Sequence, residues 1–407
     1  MNFINFQPPH SPLQTLKDAS VSGKRVLLRV DYNVPHCPET RNITDSARIH
    51  ASIPTIAYLL DHGAKVIVLS HLGRPKGKIK SHLRLEKVAK ELEKILKKPV
   101  KKLDDCIGPE VEKKVKSMKR GDILVLENVR FYPEEEANHP EFVKKLARLG
   151  DIFVSDSFGT VHREHASTAG ISKYLPSYAG LLLEKEMKAL SPLLGNPERP
   201  FLLVVGGAKI DTKIGILKSF LHKVDAFLIG GGLANTFLAA QGFNIGASLC
   251  QKDKIDMARE MMLEANKAGE KIILPTDVVV TDVIASNSKT LDMPIEDVEG
   301  ALKIVDIGKI TARRYRHLIE KSKTVVWNGP MGLYEYAPFQ NGTREVASAI
   351  RDTKGITIAG GGDTLDALKR FNIPENSITH ISTGGGAMLE FLEGKTLPGI
   401  EVLKKIM

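Results

Sequence analysis

At 407 residues the chain exceeds what one hydrophobic core usually supports, so two domains of about 150–200 residues are expected. Apolar residues make up 42% and charged residues 26%, the balance of an ordinary soluble globular protein, and no run of about 18 uncharged apolar residues is present to span a membrane. The formal net charge of +10 raises a nucleic-acid reading. Much of the excess lies in 87–120, where Lys90, Lys94, Lys97, Lys98, Lys101 and Lys102 are interspersed with Glu86, Glu91 and Glu93 and no aromatic side chain offers a base-stacking platform. A solvated helix face is the expectation there, with no specific nucleic-acid partner.

Along the chain, short β-branched runs alternate with helix-length amphipathic stretches, the pattern of α/β folds with parallel sheets. The first run, RVLLRV (25–30), is followed by a helical stretch over 46–63 whose Ile49, Ile53, Ile56, Leu59 and Leu60 share one face, with Gly63 placed to end it. Then come KVIVLS (65–70), DILVLEN (122–128) and DIFVSDS (151–157). The stretch 181–200 reads as a helix ended by Gly195 and two prolines, a connector and hinge between two halves. Beyond it the runs are 201–207, 226–232, 271–280 (KIILPTDVVV, read as one strand), 323–329, 355–362 and 378–386. Each is nearly all apolar, as strands buried on both faces should be. Cys37, Cys106 and Cys250 have neither close pairing nor metal-ligand spacing, and the first residues lack a basic and an apolar signal region. A reducing, cytoplasmic location is expected.

Ligands of parallel sheets bind beyond the carboxyl ends of the strands, and the two halves end their strands in different chemistry. In the first half the ends carry Asp31 and Asn33; His71, Leu72, Gly73 and Arg74; Arg130; and Asp156 with His162, Arg163 and His165 close behind. Arg48 opens the first helix. Arginines converging on one edge repel each other unless a small polyanion sits among them, and the guanidinium fork suits phosphate and carboxylate. Asp31 and Asn33 could hold a hydroxyl. The competing reading pairs these arginines with Glu127 and Glu134, Glu135 and Glu136.

In the second half the strand ends carry glycines: Gly206 and Gly207; Gly230, Gly231 and Gly232; Gly329 and Gly332; Gly360, Gly361 and Gly362; Gly384, Gly385 and Gly386. Such turns let backbone N–H groups approach an anion, and a following helix N-terminus adds its dipole, so a nucleotide site is expected. It is not a P-loop, because Leu389 stands where the first glycine before Gly394-Lys395-Thr396 is required. Nor is it a dinucleotide fingerprint, because Asn235, Leu365 and Leu389 replace the third glycine. His162 and His165 lack a zinc-binding context, and anion contact or a structural role is the better reading.

The blocks RVDYNVP (29–35), SHLGRP (70–75), ENVRF (127–131), SFGTVHR (157–163), GGAK (206–209), GGG (230–232), WNGPMG (327–332), GGGDT (360–364) and STGGGA (382–387), in this order, resemble the signatures of phosphoglycerate kinases over nearly the whole chain. The resemblance implies two doubly wound parallel-sheet α/β domains facing each other across a hinged cleft. A 3-phosphoglycerate-binding domain would span 1–182, with a terminal segment near 388–407 packing back on it. A connecting helix would span 183–198 and a nucleotide-binding domain 199–387. It implies reversible Mg²⁺-dependent phosphoryl transfer between 1,3-bisphosphoglycerate and ADP by a monomer. Arg74, Arg130, Arg163 and His71 would take the 3-phosphate beside Leu72 and Gly73, Arg48 the carboxylate, and Asp31 the 2-hydroxyl with Asn33 near it. Gly361, Gly362, Asp363 and Thr364 would wrap the nucleotide phosphates, with Asp363 binding Mg²⁺, Glu335 the ribose, Lys213 a phosphate, and Gly232 and Asn328 nearby. Lys209, Arg48 and the amides of Gly385 and Gly386 would attend the migrating group. Departures are Tyr32 for phenylalanine, Ser157 for alanine, a short basic loop at 75–80, and Ile210-Asp211-Thr212.

Overall fold

The computed structural model describes residues 13–405 apart from 38, 212, 268 and 270; Thr212 and the extreme N-terminus read above for a signal lie outside the described residues. The chain divides into two compact units, one ending at Lys188 and regaining the chain from Lys395, the other running from Ala189 to Gly394.

In the first unit β1 (Arg25–Val30), β2 (Lys65–Leu69), β3 (Lys101–Lys102), β4 (Ile123–Val125), β5 (Ile152–Asp156) and β6 (Ser177–Ala179) form a parallel sheet of order β3-β4-β2-β1-β5-β6. The strand period of two sends Val26, Leu28, Val66, Val68 and Val154 into one core and Leu27, Ile67, Leu69, Leu124 and Phe153 into another. Helices α1 (Ala47–Asp61) and α2 (Glu86–Leu96) cover the first face with Ile49, Ile56, Val88 and Leu92. On the second face α3 (Pro109–Lys116) and α5 (Pro140–Ala147) supply Val111, Val115, Phe142 and Leu146, with the single turn α4 (Pro133–Glu136) before α5. Both faces being covered, the strand runs can be continuously apolar. Two charged residues depart from this pattern: Arg29, on the Leu27 face, is only 1% exposed, and Asp156, at the end of β5, is fully buried.

Helix α6 (Leu181–Leu194) contains the boundary between the units. The second unit holds β7 (Phe201–Val205), β8 (Ala226–Ile229) and β9 (Lys271–Ile273), then β10 (Asp277–Thr281), β11 (Leu291–Pro294) and β12 (Lys303–Ile307), then β13 (Thr324–Asn328), β14 (Ile356–Gly360) and β15 (His380–Ser382). Its parallel sheet has the order β15-β14-β13-β7-β8-β9, so the winding reverses between β7 and β13 and leaves a crevice at their carboxyl ends. Trp327, Val204 and Leu228 face a core closed by α10 (Lys309–Glu320), α11 (Asn341–Asp352) and α12 (Gly362–Arg370), which follow α7 (Ile214–Phe220), α8 (Gly231–Ala240) and α9 (Ile255–Lys267) in the chain. After α13 (Gly386–Leu392) the chain rejoins the first unit, where Gly399 N–H donates to Val161 O at 2.8 Å.

One expectation needs correction. The run 271–280 is two strands, not one: β9 ends the parallel sheet, while β10 centres a separate antiparallel sheet of order β11-β10-β12. Pro275 explains the break, because it has no N–H for a ladder and turns the chain between the two. We expect Phe153→Ala, fully buried in β5, to cost about 3–5 kcal/mol. Because the one tryptophan, Trp327, lies in the second unit, denaturation should be followed by far-UV circular dichroism. A loss below about 1 kcal/mol would contradict a fully packed site.

Candidate active site

In the first unit the polar side chains at the ends of β1 and β2 form one connected set. The Asp31 carboxylate leaves β1 and meets Arg48, in the first turn of α1, at 2.8 Å; Arg48 also donates to Asn33 O at 3.1 Å. Asn33 Oδ1 accepts from Gly73 N–H at 2.8 Å, and Gly73 O accepts from Arg130 at 3.0 Å. His71 is 2% exposed, its Nδ1 lying 3.2 Å from an Arg29 nitrogen and 3.9 Å from Asp31 Oδ1. The loop carrying Leu72 and Gly73 is pinned by Asn128, whose amide donates to Leu72 O at 2.8 Å and Leu83 O at 2.9 Å.

The local field is positive. Burial, then the guanidinium groups of Arg29, Arg130, Arg163 and Arg48, push the His71 imidazole well below its ordinary range. His165 is pushed down to about 4 by burial and by Arg130, Arg163 and Arg29. Arg130 itself is lowered to about 10, by burial and then by Arg163 and Arg29. Mutual repulsion of this kind is what an arriving anion relieves.

The acidic alternative accounts for only part of this charge. Glu127 is fully occupied elsewhere, by Arg84 at 2.9 Å, Lys102 at 2.5 Å and the Leu85 and Asn128 amides at 2.9 Å each. Glu136 lies 3.2 Å from Arg130 Nε, an ion-pair contact without hydrogen-bond alignment, so that buried Nε keeps an unused donor. Arg74 is exposed, and neither it nor Arg163 has a carboxylate within ion-pair distance among the described residues.

In the second unit the site assembles around Asn328, at the end of β13. Its amide donates to Gly360 O at 2.6 Å, and its oxygen accepts from Lys213 Nζ. Burial lowers Lys213 to about 8, against a raising influence from Asp363. Gly329 N–H donates to Thr364 Oγ1 at 2.8 Å, tying the β13 end to the first turn of α12. Two glycines are required by space or conformation. A Cβ on Gly206 would lie 1.9 Å from Pro330 O, and Gly361, the N-cap of α12, has φ +101° with Asn328 Nδ2 2.8 Å from where a Cβ would sit. Beside these turns lies a mostly apolar cavity of about 480 Å³, with Gly207, Ala208, Gly232, Leu249, Met331 and Leu333 in its wall and Glu335 and Asp363 at polar positions. Its place at the reversal of strand order is where nucleotides bind such sheets. Gly385 and Gly386 lie at the end of β15, and Lys209 is exposed just after Ala208.

The structure thus joins Asp31, Asn33, Arg48, His71, Gly73 and Arg130 by direct contact in one unit, and Lys213, Asn328, Gly361 and Thr364 in the other. Sequence reasoning missed the apolar wall from Leu249, Met331 and Leu333, which carries no motif. It also missed the buried Arg29–Ser167–Glu135 contacts; a charged residue inside an apolar run was the available signal.

A profile of the family described as "Phosphoglycerate kinase" matches residues 16–395. The chain is 53% identical over 390 residues to the phosphoglycerate kinase of Dictyoglomus turgidum, covering 96% of this chain and 98% of that one. Among solved structures it is similar to phosphoglycerate kinase from Coxiella burnetii, with TM-score 0.86 and 41% identity over 96% of this chain and 99% of that one. It is similar also to the Pyrococcus horikoshii enzyme, with TM-score 0.84 and 34% identity over 96% and 98%.

The buried His71 sets a pH dependence. Above the ordinary imidazole value of 6.5 the ring is neutral whether folded or unfolded. As pH falls through 6.5, the unfolded ring binds a proton that the folded ring refuses, so stability drops toward acid. His71→Gln should reduce the stability lost between about pH 7 and pH 5 by about 1–2 kcal/mol, measured by denaturant titration without ligand. An unchanged acid limb would contradict the neutral buried ring.

Proposed function

The chain belongs to the phosphoglycerate kinase family, and from that premise we propose how its residues divide the work. The reaction is reversible phosphoryl transfer between 1,3-bisphosphoglycerate and ADP, giving 3-phosphoglycerate and ATP. The observation that carries the division is the contrast between units: guanidinium and imidazole groups crowd one set of strand ends, while amides and an apolar slot occupy the other.

On this reading Arg74, Arg130, Arg163 and His71 take the 3-phosphate, Arg48 the carboxylate and Asp31 the 2-hydroxyl. Gly73 N–H is already given to Asn33, so Gly73 acts by shaping the loop with Leu72 and by fixing Asn33. In the second unit the base enters the slot lined by Gly232, Leu249 and Leu333, and Glu335 takes the ribose hydroxyls. The amides of Gly361, Gly362 and Thr364 at the start of α12 face the nucleotide phosphates with Lys213 and Asn328. An arriving phosphate favours the charged form of Lys213 and so restores what burial takes away.

In the ATP-consuming direction the nucleophile is a carboxylate, ionised at neutral pH, so no general base is required. What remains is to place two anions in line and to neutralise the charge between them. Arg48, Lys209 and the Gly385 and Gly386 amides serve that end. A magnesium ion fits beside Asp363: the described residues offer no cluster of three ligating side chains, and one exposed carboxylate near phosphate-binding amides suits an ion held mainly by the nucleotide itself. When bound, that ion supplies charge neutralisation on the phosphates. Each reactant being held by a different unit, we infer that closure about α6 brings them together and excludes water. A monomer in the cytoplasm completes the reading.

Lys209→Ala or Arg48→Ala should lower kcat at least ~100-fold in a folded protein, the scale of removing one preorganised donor. Near-normal turnover would remove that residue from the mechanism. Arg130→Ala should weaken 3-phosphoglycerate binding at least ~10-fold and leave ADP binding unchanged, as titration calorimetry with each ligand would report. Equal weakening of both would contradict the division between units.

A further inference from the structure

We infer that Glu135, Ser167 and Arg29 are positioning residues that hold His71 as its Nε2–H tautomer, ready to donate to the phosphate of 3-phosphoglycerate. The last clause rests on the function proposed above; the tautomer does not.

Arg29 points from β1 into a face otherwise built of Leu27, Ile67, Leu69 and Phe153, where it is 1% exposed. A guanidinium in such a place must have its donors satisfied. Nε donates to Ser167 Oγ at 2.9 Å, Nη1 to Val30 O, and Nη2 lies 3.2 Å from His71 Nδ1. Arginine has no acceptor to offer, so Nδ1 must be the acceptor and the proton of the neutral ring sits on Nε2. Asp31 Oδ1 is 3.9 Å from the same Nδ1, too far to hold a proton there by a hydrogen bond.

Arg29 is itself held from behind. The Ser167 hydroxyl, while accepting from Arg29, donates to Glu135 Oε1 at 2.6 Å, and the Ser167 amide donates to Oε2 at 3.0 Å. Glu135 is fully buried, and its charge acts on Arg29. The order is therefore carboxylate, hydroxyl, guanidinium, imidazole, with every bridging hydrogen assigned a direction. The arrangement has the form in which a carboxylate or carbonyl behind a metal-bound histidine fixes its tautomer, with a phosphate anion in place of the metal. Here the requirement is inverted: an anion needs a donor at Nε2, and a cation behind Nδ1 supplies it.

Long-range ¹H–¹⁵N correlation spectra of the ligand-free protein near pH 7.5 test this. Wild-type His71 should show a pyrrole-type Nε2 and a pyridine-type Nδ1; the opposite assignment, or a protonated ring, overturns the inference. Ser167→Ala and Glu135→Gln should each move His71 toward a tautomer mixture, with Ser167→Thr restoring the wild-type pattern. Ser167→Ala should also raise KM for 3-phosphoglycerate about tenfold, the scale of one hydrogen bond to a charged group, with KM for ATP unchanged. Unchanged spectra in both variants overturn the relay whatever the kinetics. A shifted tautomer with unchanged KM upholds the relay and instead removes His71 from the phosphate site. Should a variant not fold, the wild-type spectrum alone still decides the tautomer.

Discussion

Like charges held against their own repulsion are the constraint on which the first unit depends. Parallel strands place their carboxyl ends side by side, and here those ends deliver Arg29, His71, Arg130 and Arg163 into one small volume. Burial and neighbouring guanidinium groups leave His71 neutral and bring Arg130 down to about 10. The carboxylates present screen only part of this: Asp31 is engaged with Arg48, Glu135 is bound through Ser167, and Glu136 touches Arg130 without aligned geometry. The cost is tolerable because two apolar cores and a covered sheet fix the backbone around it. What it provides is a cluster of cationic strand ends whose mutual repulsion a small anion would relieve.

The second unit also sets the carboxyl ends of parallel strands side by side, in a different strand order, and gives them different chemistry. Its strand ends present few charges and many backbone amides, with Asn328 binding β13 to β14 and Thr364 binding β13 to α12. Amides need no counter-ion when empty, so this end can adjoin an apolar slot without the strain seen in the first unit. A nucleotide asks for both properties, an apolar surface for its base and close donors for its phosphates. Lys213 is a partly buried cation among these groups, held against Asn328 and lowered by burial to about 8.

Much of this was legible in the sequence because the chemistry sits at the ends of periodic apolar runs. RVLLRV followed by Asp31 and Asn33, and TVVWN followed by Gly329, announce both the strand and what it presents. The division of 271–280 was not legible by hydrophobicity, since both halves are apolar; only Pro275 signalled that two sheets share the run. The contacts behind His71 were illegible for a different reason. Arg29, Glu135 and Ser167 are far apart in the chain, and nothing local links a buried arginine to a serine 138 positions later. Nor does composition reveal that Glu127 is taken by Arg84 and Lys102 rather than by the arginines at the strand ends.

The most direct test of the division is hydrogen–deuterium exchange with each ligand alone. With 3-phosphoglycerate, protection should rise at 31–33, 71–74, 129–131 and 160–165 and stay unchanged at the glycine turns. With ADP it should rise at 206–209, 328–335 and 361–364 and leave the first set unchanged. Protection of the glycine turns by 3-phosphoglycerate, or of the arginine-bearing strand ends by ADP, would contradict the account.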